Sequence, residues 1–265
     1  MTTRAVFTGS IRLSGDRKTL LNFPQSLPLR GYIIPDGITA IGVMAFFNAC
    51  NIECVLIPDS VTEIGELAFA GCKNLKSVVL PENLTAISNG TFRDCSSLIE
   101  VFIPEKVKSI GKDAFCGCSG LHCLEIGSGV RVIGESAFEG CSNLSAVRLH
   151  PQVKTIDKTA FAGCSSLKSI SIPYKVPAIS DAAFRDCRSL AKVKLPKKLS
   201  SIGFQAFANC INLESITIPA NVKNISHLAF SGCTGLKKVT FAGSDTTVAS
   251  SAFCDCPQLQ EMIYL

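Results

Sequence analysis

A phenylalanine returns every 23 residues along this chain: Phe46, Phe69, Phe92, Phe115, Phe138, Phe161, Phe184, Phe207, Phe230 and Phe253. A cysteine stands three residues after nine of the ten, from Cys72 to Cys256, with Ala49 in the first of these places. Self-similarity at one fixed interval marks a solenoid, where each unit packs only on its neighbours and the core is a continuous strip. That reading replaces the one or two globular domains that 265 residues would otherwise suggest. A hydrophobic fraction of 47% beside 18% charged residues excludes disorder. The net charge of +5 falls short of a nucleic-acid-binding signature. No apolar run approaches the ~18 residues that cross a bilayer, so neither nucleic acid nor membrane insertion is expected.

One unit, Pro58–Leu80, can be read slot by slot. Leu75, Val78 and Leu80 turn inward by alternation and predict a short strand. Pro81 follows; without an N–H and with a fixed φ, it ends the ladder. Val61 and Ile64 point inward on the opposite side as a second extended or turning segment. The composition of Glu66–Ala70 predicts a turn or two of helix. Gly71 and its equivalents Asp94, Gly117, Gly140, Gly163, Asp186, Asn209, Gly232 and Asp255 comprise only Gly, Asp and Asn. These are the residues that tolerate the left-handed conformation, so a positive φ is predicted there.

The pattern LxxVxIPxxVxxIGxxAFxGCxxL, clearest at Leu98–Leu121 and Leu213–Leu236, resembles the BspA-like, or Treponema-type, leucine-rich repeats. The resemblance covers about nine-tenths of the chain. It implies an α/β repeat fold: a right-handed leucine-rich-repeat solenoid of about ten 23-residue repeats. A parallel β-sheet would line the concave face, with short turns and helices on the convex face. It also implies a role in adhesion or host-protein binding, and supplies no catalytic residues.

Residues 1–34 are expected to form a degenerate N-terminal capping repeat, and 35–265 the solenoid proper, as one continuous domain. Leu29, Tyr32 and Ile34 fall one period before Ile52, Val55 and Ile57 and predict a first strand, whereas Lys18 stands where a buried Ile belongs. The last strand slots hold Leu259, Met262 and Tyr264, an edge open to self-association. The start, MTTRAVFTGSIRLSG, shows no apolar h-region. That and unpaired cysteines favour an intracellular setting, while the resemblance implies a cell-surface or secreted one.

The chain has 14 cysteines. The nine periodic ones occupy a small apolar slot. Equivalent Cβ atoms in stacked coils lie about 4.8 Å apart, too far for the ~3.8 Å of a disulfide. A reduced, buried row of thiols is therefore expected. Cys116, Cys118, His122 and Cys123 suggest a zinc site by spacing, but their slots point in different directions. His122, His150 and His227 share no slot. Of the sequons at Asn83, Asn89, Asn143 and Asn224, two arise from the repeat grammar, since Leu144 and Ile225 are core slots, and chance accounts for the others. No catalytic motif is present, so an enzyme, a cofactor and a metal are not expected.

What does not recur lies on the outward strand positions. There the slot after the buried Val reads Leu56, Val79, Phe102, Glu125, Arg148, Ser171 and Lys194. Its first third is apolar, while Lys192, Lys194, Lys197 and Lys198 make a later stretch basic. An exposed apolar row rimmed by charge marks an interface. The expected function is a non-enzymatic scaffold binding a protein partner through Leu56, Val79, Phe102, Glu125, Arg148, Lys192, Lys194, Lys197 and Lys198. The alternative is a polyanion- or glycan-binding adhesin using the basic half.

Overall fold

The computed structural model describes residues 10–265, so the first nine positions of the expected N-terminal unit lie outside the described residues. Over the described residues the chain winds as eleven coils, each giving one strand to the same face. Six of these strands, from Gly31–Ile33 to Ala146–Arg148, form one parallel sheet; Ser169–Ser171 pairs with Lys192–Lys194, and Ser215–Ile218, Lys238–Phe241 and Glu261–Tyr264 form a third group. Pairing joins residues one period apart, such as Leu124 with Val147 and Ile216 with Val239. A second set of two-residue strands, among them Glu63–Ile64 and Ser109–Ile110, lines another side in the same register. Between the two sets lies the core, with each central phenylalanine from Phe46 to Phe230 fully buried. Its rings stack coil upon coil; Phe115 and Phe138 have centroids 5.2 Å apart and planes 2° from parallel.

The opening coil keeps its place by a shortened register. Leu20, not Lys18, takes the buried slot, pairing with Ile41 and lying fully buried. Phe23 still stacks on Phe46 at 4.8 Å. Arg12–Leu13 folds back antiparallel on the Thr19–Asn22 strand. Two missing residues before Phe23 thus hide the period without abolishing the coil.

The expected helices on the convex side are not formed: Glu66–Ala70 is a succession of turns, and no helix occurs among the described residues. The backbone donors explain why. An α-helix needs each N–H aimed at the carbonyl four residues back. Here the N–H groups of Leu67, Phe69 and Gly71 donate to Asn89, Thr91 and Arg93 of the next coil, at 3.0, 2.8 and 2.8 Å. The intervening donors of Ala68, Ala70 and Cys72 turn back only three residues, to Gly65, Leu67 and Phe69. Alternating donors therefore leave the coil, and a helical run has none to share.

Two positions per turn adopt positive φ. One is the predicted slot, with φ of 74° at Gly71, 58° at Asp94 and 60° at Asn209. The other, two residues before each phenylalanine from Phe46 to Phe230, includes Leu67 at 54° and Thr159 at 51°. The first slot also couples one coil to the next. A Cβ on Gly117 would lie 2.4 Å from Asp94 Oδ1, and one on Gly232 would lie 2.3 Å from Asn209 Oδ1. Asp or Asn is thus followed by Gly one coil on, because its side chain fills that space. Asp186 and Asn209 are the exception, and there the two side chains bond directly at 2.9 Å.

The periodic thiols do more than fill a small slot. The nine sulfurs from Cys72 to Cys256 lie 3.0–3.3 Å from the carbonyl oxygen of the phenylalanine 26 residues earlier. The Phe115 carbonyl, for example, accepts the Cys118 N–H at 3.1 Å and the Cys141 thiol at 3.2 Å. The thiol thereby serves the second lone pair of a buried carbonyl. All fourteen cysteines are free.

Two predictions follow from these slots. Gly140→Ala meets nothing nearer than 3.8 Å and carries only the left-handed strain, a loss of about 1–2 kcal/mol. Gly117→Ala adds the contact with Asp94 and should cost about 1 kcal/mol more. Asp94→Gly should remove that excess in a denaturation double-mutant cycle; equal losses at the two glycines would refute the coupling. The second concerns pH. Burial pushes the Cys187 thiol up to about 12 and raises Cys95, Cys118, Cys141, Cys164 and Cys210 as well. These thiols stay protonated in the folded chain while the unfolded chain ionises near pH ~8.5. Stability is therefore full below that pH and falls above it, by about 1.4 kcal/mol per pH unit for each thiol. Urea denaturation from pH 7 to 10 should show this decline, and a Cys141→Ala/Cys164→Ala variant a shallower one.

Candidate functional site

The strand face carries the candidate site. Its exposed positions come in register because each strand is three or four residues long and alternates about one buried centre, such as Val55 or Val101. Leu56, Val79 and Phe102 are exposed there at 45%, 58% and 72%, and Ile33, one coil earlier, at 70%. Ile33 pairs with Leu56, and Leu56 with Val79, so the row is continuous across three strands, and Phe102 follows at the same slot one period after Val79. Sequence reasoning began the row one coil late; the signal for Ile33 was its place 23 residues before Leu56.

Between Ser77–Val79 and Glu100–Phe102 the pairing holds at Ser77 and Glu100 and lapses beyond them. A cleft of about 340 Å³ opens there, lined by Val79 and Phe102 with Leu80, Glu82 and Glu105. Glu82 and Glu105 were not among the expected site residues. On the opposite margin one carboxylate serves two cations: Glu53 lies 3.4 Å from Arg30 and 2.8 Å from Lys76. The hydrogen bond from Lys76 holds the Glu53 carboxyl below the usual carboxylate range.

The remaining expected residues separate into two groups. Glu125 and Arg148 meet each other as an exposed ion pair at 3.4 Å in the middle of the face. Lys192, Lys194 and Lys197 line a trough of about 650 Å³ that also contains Thr217 and Asn221. Lys194 and Lys197 border a second depression of about 530 Å³ with Arg148 and Tyr174. Lys198 is exposed but outside both. None of these four lysines enters a salt bridge among the described residues. The apolar and basic groups are thus two ends of one face, about 19 Å apart from Phe102 to Lys194 at ~4.8 Å per strand.

The chemically suggestive side chains are dispersed. Cys118 lies in the buried row, Cys116 is half-buried with its thiol pushed up to about 11 by burial, and Cys123 is exposed on the face. His122 Nδ1 sits 2.5 Å from the Gly120 carbonyl, and His227 Nδ1 2.8 Å from Ser251 Oγ. Among the described residues no group of three His, Cys, Asp or Glu side chains is arranged to hold a metal.

Comparison with known proteins fits this architecture. A leucine-rich repeat protein from Bacteroides ovatus is 29% identical, with a TM-score of 0.84 over 96% of this chain and 69% of that one. The Treponema pallidum leucine rich repeat protein is 26% identical, with a TM-score of 0.58 over 77% of this chain and 87% of its own. A leucine rich cell surface protein from Faecalibacterium prausnitzii, 23% identical, shares the fold with a TM-score of 0.51 over 96% and 92%. No curated protein sequence matches the chain. Residues 22–145 and 154–264 match the BspA type leucine rich repeat region in six copies. The chain belongs to the BspA-type leucine-rich repeat family.

Proposed function

We propose that the chain is a non-catalytic scaffold that docks a protein partner on its strand face. The observation that carries this reading is the row Ile33, Leu56, Val79 and Phe102, exposed on four consecutive strands. Single exposed apolar side chains are ordinary on a protein surface, but a contiguous line of them beside charge is the signature of an interface. An aromatic such as Phe102 at the mouth of a cleft is the kind of anchor that dominates binding energy. The rigid stacking beneath holds the row without requiring a partner to order it.

An anchor of this kind is worth about 2 kcal/mol, or roughly thirtyfold in affinity. Phe102→Asp should therefore weaken partner capture by about that factor and leave the melting temperature unchanged, because the side chain is exposed. Full capture by both the Phe102→Asp and Lys194→Glu variants would end the reading.

A second reading rests on the lysine-lined trough: an acidic glycan or other polyanion bound along Lys192, Lys194 and Lys197. Three lysines without an acidic partner concentrate positive potential where a chain of like-spaced negative charges can lie. Retention on heparin should then fall steeply with salt, and Lys192→Glu/Lys194→Glu should elute at lower salt than the wild type. Absence of retention at low salt would dismiss it.

A further inference from the structure

The cleft beside Phe102 contains two carboxylates that belong to a longer series. Asp36, Asp59, Glu82 and Glu105 follow one another at the 23-residue period, each three residues after a member of the apolar row. All four are exposed. None enters a salt bridge among the described residues. Equivalent positions in neighbouring coils are about 4.8 Å apart, so the carboxylates form a like-charged rim along one side of the apolar row. On the other side Arg30 and Lys76 share the single carboxylate of Glu53, so that margin keeps a net positive charge. The surface is therefore apolar along a line, acidic on one flank and weakly basic on the other.

We infer that this surface seats a basic amphipathic helix of a partner protein, its apolar stripe on Ile33, Leu56, Val79 and Phe102 and its Lys or Arg flank on the Asp36–Glu105 rim. The inference rests on the docking reading of the same face and adds the chemistry of the partner. Charge complementarity selects a cationic flank, and the same carboxylates repel nucleic acid and anionic lipid surfaces. The spacing selects the helix. Three coil steps span about 14 Å, and three helical turns about 16 Å, a mismatch that side chains absorb. An extended segment presents same-face residues about 6.7 Å apart, so over three steps it drifts by about 6 Å and loses the row. Long basic side chains can lie along the apolar margin and place their charge on the rim.

The test uses the whole chain and a fluorescent peptide of about five helical turns, with leucine along one stripe and lysine along one flank. Two control peptides carry glutamate in place of lysine, or a central proline that breaks the helix. In an anisotropy titration the lysine helix should bind at least about tenfold more tightly than either control. Glu82→Gln/Glu105→Gln should weaken it by about three- to tenfold and flatten its salt dependence, while Phe102→Asp weakens it by about thirtyfold. These exposed substitutions leave the fold in place, which an unchanged melting temperature verifies. Equal binding of either control peptide, or wild-type affinity of the glutamine variant, overturns the inference. If Phe102→Asp abolishes capture of a protein partner that the glutamine variant retains in full, docking on this face stands and the basic helix is wrong. If Phe102→Asp changes neither measurement, both fall.

Discussion

The N–H groups of Leu67, Phe69 and Gly71 have a choice of acceptors: a carbonyl in their own turn, or one in the next coil. In this molecule they take the second, and the choice propagates. Directing alternate donors outward forces positive φ at two positions per turn and prevents a helix. It also brings successive phenylalanines into stacking distance, because their own N–H groups join neighbouring coils. The carbonyl of each phenylalanine then accepts a backbone donor from its own coil and a thiol from the next. Ring stack, thiol row and left-handed turns are consequences of one hydrogen-bonding pattern.

That pattern leaves the strand face free to vary. Inward positions are held by packing on both neighbours, where a buried ring contacts its equivalents above and below. Outward positions meet only their lateral neighbours and solvent, so they carry the chain's individuality. Here the variation is polarised: apolar side chains and unpaired carboxylates gather in the early coils, and unpaired lysines in the later ones. The Glu125–Arg148 pair divides them. Both proposed binding modes use this face, and they use different parts of it.

Repetition made the fold legible. The phenylalanine and cysteine intervals revealed the solenoid, and the restriction of one slot to Gly, Asp and Asn revealed its positive φ. The second positive-φ position escaped notice because Met, Leu, Thr, Ala and Gln all occupy it; the inter-coil bonds impose the conformation without selecting the residue. Glu66–Ala70 misled in the opposite way, since its helical composition speaks for local preference and the coil overrides it. Leu20 was hidden by a two-residue change of spacing. At the candidate site the apolar row was readable except for Ile33, while the acidic rim lay in a slot just past the prolines that reads as a turn. Its importance comes from proximity to Phe102, which only the folded coil displays.

The register between coils has a further consequence. Bonds run between residues one period apart, so each coil presents the same sockets to the unit above as to the unit below. Recombination within the gene that adds or removes one whole period would leave those sockets matched, whereas a change of a few residues would break them. Near Glu125 and Arg148, such an event would move the lysine trough by about 4.8 Å relative to the apolar row. The distance between the two ends of the face is in this sense a variable that evolution can adjust in discrete steps, without redesigning either end.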